Sequence, residues 1–188
     1  MVSLGLDAST TCVGYAFTED KKILDMGFID IKKEKTPKDK VEKVLDFLNK
    51  SPYIDNTITI NIEDNLSGFS GGRTSQQVIV KLAKFNAILC FMIEQIFQME
   101  VNSINPMTAR KNVFGKARVK GIKAKDLVKM KIEEMYNTEK WCKHTIRGNW
   151  DKRNIDMYDG LVMSLYENKK AWLIYKKFCI LYRCITTN

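Results

Sequence analysis

Histidine is almost absent from this chain of 188 residues, where His144 is the single one. The five cysteines, Cys12, Cys90, Cys142, Cys179 and Cys184, are scattered and form no CxxC pair. No standard zinc constellation can be assembled from such a set. An odd number of thiols also fits no disulfide framework and points to a reducing compartment. No apolar run reaches the length of about 18 residues that a membrane span needs. The chain opens on a strand-like segment, not on the basic region and apolar run of a secretory leader. Three prolines and ten glycines are too few for a linker-rich chain. The expectation is a soluble, intracellular protein with no membrane partner, one domain over 1–188 that is long enough to bury a core.

What is abundant is positive charge. Thirty-one Lys and Arg against 22 Asp and Glu give a formal net charge of +9. The excess is concentrated: 110–131 holds nine basic residues (Arg110, Lys111, Lys116, Arg118, Lys120, Lys123, Lys125, Lys129, Lys131) and one acid, Asp126. A solvated helix face usually mixes signs, and this segment does not, which points to a polyanion. A second candidate contact is the glycine-rich loop 67–74 (SGFSGGRT), where Arg73 supplies charge and Phe69 is a candidate wedge into a base step.

The order of elements narrows the fold. Apolar and β-branched runs at 2–6, 12–17 and 23–31 are joined by short turns and predict an antiparallel meander. Pro37 opens a helix carrying Val41, Val44, Leu45 and Leu48, and Pro52 ends it. TITINI at 57–62 predicts a strand at the sheet centre. A long helix over 74–98 and a strand over 101–104 follow, then helical segments after Pro106, over 123–136 and from about Arg153. This order predicts an α/β fold with one mixed five-stranded sheet, three antiparallel strands and then two parallel ones, flanked by helices. A helical extension is expected from about 168. The long helix (Val78, Leu82, Phe85, Leu89, Met92, Ile93, Ile96) is more apolar than one core face requires. It is either buried on both sides or the seam of a homodimer.

Four acids stand out against this frame. Asp7 ends an apolar strand, where a carboxylate is costly to desolvate. Glu63 ends the TITINI strand, and glutamate is a poor turn or cap residue. Asp156 and Asp159, at i and i+3, share one face of the last helix where it meets an apolar run. Two acids at the ends of neighbouring strands repel unless a cation lies between them. Hard oxygen ligands with almost no histidine match Mg²⁺, with Mn²⁺ as substitute. Two such ions roughly 4 Å apart can activate water and stabilise a leaving oxygen in phosphodiester cleavage.

Four segments, in order, resemble the RuvC-like Holliday-junction resolvases of the ribonuclease-H-like superfamily: LGLDASTTCVGYA, INIEDN, NPMTARKNVFGKARVKGIKAKDLV and NIDMYDGLVMSLY. They span about 2–167. The resemblance implies a ribonuclease-H-like fold with Asp7, Glu63, Asp156 and Asp159 as catalytic metal ligands. It implies Mg²⁺-dependent paired nicking of four-way DNA junctions by a homodimer, with Arg110, Lys111, Lys116, Arg118, Lys120 and Lys125 on DNA. Lys123, and Lys125 beside it, are candidates for approaching the scissile phosphate. Family members with strict junction recognition carry an aromatic residue three positions after the catalytic Glu; here that position is Leu66, with Phe69 nearby, which implies broader branched-DNA activity. Two other readings remain open: a nucleotide-binding phosphotransferase or ATPase of the actin-like group, and a non-catalytic branched-DNA-binding module.

Overall fold

The computed structural model describes residues 1–64 and 75–167. Strands β1 (Val2–Ala8), β2 (Cys12–Glu19) and β3 (Lys22–Asp30) are followed by helix α1 (Pro37–Asn49). Strand β4 (Thr57–Glu63), helix α2 (Gln76–Phe97), strand β5 (Val101–Ile104) and helices α3 (Pro106–Phe114), α4 (Ala124–Met135) and α5 (Asn154–Leu165) complete the order. The five strands form one sheet, β3-β2-β1-β4-β5. The β1–β2 and β2–β3 pairs are antiparallel, and the β1–β4 and β4–β5 pairs are parallel. This is the mixed sheet expected from the sequence. The loop 67–74, including Phe69 and Arg73, and the extension from about 168 lie outside the described residues. No helix among the described residues is long and apolar enough to cross a membrane.

Strand alternation decides which side chains meet which layer. Val2, Leu4, Leu6 and Ala8 of β1 and Ile60 and Ile62 of β4 pack with Val41, Val44, Leu45 and Leu48 of α1 and Phe85, Leu89 and Ile93 of α2. The intervening residues Gly5, Asp7, Asn61 and Glu63 therefore belong to the opposite face. That face is covered by α5, with α3 and α4 packed against it.

Helix α5 is the central helix: every residue from Asn154 to Leu165 except Asp156 is buried. It lies almost on the backbone of the sheet, which three glycines permit. A Cβ at Gly14 would sit 1.8 Å from the Asp156 carbonyl oxygen, and one at Gly5 would sit 2.1 Å from that of Gly160. Real Cβ atoms cannot approach so closely, so any side chain there would lift α5 away. By contrast, α2 buries Leu82, Phe85, Leu89 and Ile93 but leaves Val78, Val80, Ile88, Phe91 and Ile96 exposed. Among the described residues nothing covers that second side of α2.

Candidate metal centre and nucleic-acid interface

The same alternation that builds the core delivers the acids. Leu6 pairs with Ile62 across the parallel β1–β4 ladder, so the next residues, Asp7 and Glu63, emerge side by side on the α5 face. Helix α5 crosses above them and lowers Asp159 onto the pair. Asp7, Glu63 and Asp159 each offer a carboxylate oxygen, and these atoms all lie within 4.8 Å of one another. Asp7 and Asp159 are buried, and Glu63 is half-buried. Asp156, one turn earlier on α5, stands at the rim and pairs with the Lys125 ammonium at 3.4 Å.

Such a cluster is electrostatically expensive. Two ionised carboxylates at that separation repel by about 3 kcal/mol at an effective dielectric near 20. Burial pushes the Asp7 carboxyl well above the usual range, and Glu63, Asp159 and Asp156 push it further. Burial and then Asp159 raise Glu63 to about 7, against the pull of Arg110 and Lys125. Asp159 is also raised, chiefly by burial, although Arg110 and Lys125 oppose the shift. For Lys125, burial works against its charge, but Asp156, Asp159 and Asp7 outweigh it and hold the ammonium protonated.

The donor set fits a hard divalent cation. All three converging groups are carboxylates, and among the described residues Glu63 Oε2 is buried without a hydrogen-bond partner. A buried, unsatisfied carboxylate oxygen on a residue of an acidic cluster is the arrangement that a bound cation satisfies.

Three further side chains hold the cluster in shape. Arg110 of α3 donates from Nη2 to Asp159 Oδ1 at 3.2 Å, with only 11% of its side chain exposed. Expected from the sequence on the phosphate-contacting surface, it sits instead beside the acids as an internal counter-ion. Asn61 was not singled out from the sequence. It is fully buried in β4, two residues before Glu63, and donates from Nδ2 to the carbonyls of Met163 at 2.9 Å and Tyr166 at 3.3 Å. Thr18 of β2 donates to the Ser164 carbonyl at 3.3 Å. Together these bonds fix the end of α5 to the sheet, and so fix Asp159 relative to Glu63. The available signal was an amide-bearing side chain inside the otherwise β-branched TITINI run, where a buried donor needs an acceptor.

The basic segment spreads along α3, the following loop and the start of α4. Lys111, Lys116, Arg118 and Lys120 are exposed. Lys123 is the residue preceding the first turn of α4, exposed, with no hydrogen bond or ion pair from its ammonium to a described residue. Lys125 reaches the acids and Lys123 does not. His144 is exposed in a loop and does not join the cluster.

No family model matches the chain, and no curated protein matches it in sequence. Solved structures do share its fold. T. thermophilus RuvC in complex with a Holliday junction substrate aligns with a TM-score of 0.59 at 12% identity, over 88% of this chain and 90% of that one. The structure of Thermus thermophilus RuvC aligns with a TM-score of 0.55 at 13% identity, over 88% of this chain and 92% of that one. The chain therefore has a RuvC-like, ribonuclease-H-like fold.

Proposed function

We propose that this protein is a divalent-metal-dependent endodeoxyribonuclease that cuts branched DNA, chiefly four-way junctions, acting as a homodimer. The observation that carries the proposal is the convergence of Asp7, Glu63 and Asp159 to within 4.8 Å on a RuvC-like fold. Asp7, Glu63 and Asp159 would hold the metal, with Asp156 completing the set from the rim. Bound Mg²⁺ or Mn²⁺, two ions per site, would supply an activated water and stabilise the leaving oxygen.

The chain's own residues supply the rest. Lys125, pinned by Asp156, presents a fixed positive charge at the rim, where it offsets charge developing on the scissile phosphate. We assign it that role ahead of Lys123, which stands further out as a phosphate contact. Arg110 keeps Asp159 oriented for the metal and favours its charged form against the effect of burial. Lys111, Lys116, Arg118 and Lys120 line an exposed basic surface for backbone phosphates, which sets position more than sequence preference. The apolar face of α2, with Val80, Ile88 and Phe91 uncovered, suits the seam between two copies, whose two centres would cut opposing strands.

A cleavage panel of four-way, three-way, flap and linear duplexes, with Mg²⁺ or Mn²⁺, tests the proposal. The expected result is metal-dependent cutting of the four-way junction ahead of the linear duplex. Absence of cutting on every branched substrate would leave a binding module and overturn it.

A further inference from the structure

The segment between α4 and α5 ends in a hairpin with an exposed apolar tip. His144 bridges antiparallel to Trp150, the Thr145 N–H donates to the Asn149 carbonyl at 2.7 Å, and the Gly148 N–H donates to that of Thr145 at 2.8 Å. Gly148, at φ +75°, closes this turn over 145–148. The central positions of such a turn, both at negative φ, accept most residue types. Here they are Ile146 and Arg147, and Ile146 is the most exposed large hydrophobic side chain among the described residues, with 108% relative exposure. Burying an isoleucine is favourable, and the isolated chain forgoes all of that gain.

The root of the hairpin is rigid. Asn154, fully buried in the first turn of α5, accepts from the Lys143 N–H at 3.0 Å and donates to the Lys143 carbonyl at 2.8 Å. Arg153 pairs with Asp151 at 2.6 Å and with Asp30, the last residue of β3, at 2.5 Å. Lys143 and Arg153 both lie 4.5 Å from the Phe28 ring. The tip is therefore carried on a stiff base attached two residues before Asp156. Asp30 pairs with Cys12 and Asp7 with Gly14, so root and metal centre share one end of the sheet. Two strand spacings, about 10 Å, separate them.

Charge identifies the occupant. Residues 139–153 contain Lys140, Lys143, Arg147, Lys152 and Arg153 against Glu139 and Asp151, and Asp151 is already paired with Arg153. A protein partner for an apolar site would want a broad apolar surround, whereas Ile146 stands between Thr145 and Arg147. One apolar tip in a basic collar matches stacked bases edged by phosphates.

We infer that the hairpin 144–150 is a second DNA-contacting element, with Ile146 entering a base step at the branch point while Arg147, Lys143 and Lys152 hold the flanking phosphates. This rests on the branched-DNA substrate proposed above. The test is fluorescence of 2-aminopurine placed at the branch point of a four-way junction, read in EDTA so that no strand is cut. Wild type raises the signal on binding. Ile146→Ser binds without that rise and with junction affinity lowered about tenfold, while linear-duplex affinity is unchanged and Ile146→Leu restores both readouts. Arg147→Ala lowers the slope of log affinity against log salt by about one. Because Ile146 is fully exposed, Ile146→Ser unfolds at the wild-type temperature. Equal fluorescence and affinity for Ile146→Ser and wild type would overturn the inference, while metal-dependent junction cleavage by the same preparation would still uphold the proposed function. Failure of wild type to bind any branched DNA would overturn both.

Discussion

Removing a metal ligand should make the metal-free protein more stable. Glu63 is raised to about 7, chiefly by burial and by Asp159, from the ordinary range near 4.5. Between these values the folded chain holds a proton that the unfolded chain has released, so stability falls as pH rises through that window. Above it, keeping Glu63 ionised costs about 3 kcal/mol, since each tenfold change in proton affinity is worth about 1.4 kcal/mol. Glu63→Gln keeps the shape, removes the charge and offers an N–H₂ to the Asp7 and Asp159 carboxylates. Asp7 and Asp159 readjust when it goes, so a net gain of about 1–3 kcal/mol is expected near pH 8, or about 2–10 °C in Tm for a chain of this size. The assay is thermal or urea unfolding of wild type and Glu63→Gln in EDTA, at about pH 5 and about pH 8. The two proteins should unfold nearly together at the lower pH and separate at the higher one. Excess Mg²⁺ should stabilise wild type by mass action and the variant much less. If Glu63→Gln is no more stable than wild type in EDTA near pH 8, then Arg110 and Lys125 already neutralise the cluster and the case for a cation site fails.

Four other substitutions probe how the centre is held and how it acts. Gly14→Ala should cost more than about 3 kcal/mol in urea unfolding, because its Cβ meets the Asp156 carbonyl at 1.8 Å and α5 must lift off the sheet. Asn61→Leu strands the carbonyls of Met163 and Tyr166, which should cost about 1–3 kcal/mol of stability and weaken Mg²⁺ binding measured by calorimetry; unchanged Mg²⁺ affinity would remove its positioning role. Lys125→Met should slow junction cleavage by about tenfold or more with binding nearly intact, whereas an equal loss from Lys123→Met alone would return that role to Lys123.

Much of this was legible in the sequence because period-two alternation is a local property. Leu4 and Leu6, then Ile60 and Ile62, fix one face of their strands, which leaves Asp7 and Glu63 on the other. The i, i+3 spacing of Asp156 and Asp159 is local in the same way. What stayed hidden is the long-range pairing. Arg110 looked like one of nine equivalent cations until α3 brought it against Asp159, 49 residues away. Lys123 and Lys125 are separated by one residue, and only the start of α4 decides which faces the acids. Asn61 is bonded to a helix more than 100 residues downstream. The hairpin is equally hidden, because its one telling feature, the exposure of Ile146, is not encoded in the sequence.

The most direct measurement compares wild type with Asp7→Asn on one four-way junction in Mg²⁺, following binding and cleavage in the same reaction. The Asp7 carboxyl is raised by burial and by all three of the other acids. The expected result is that Asp7→Asn binds the junction as tightly as wild type and does not cut it. Undiminished cleavage by Asp7→Asn would contradict a carboxylate-held metal centre built on Asp7, Glu63 and Asp159.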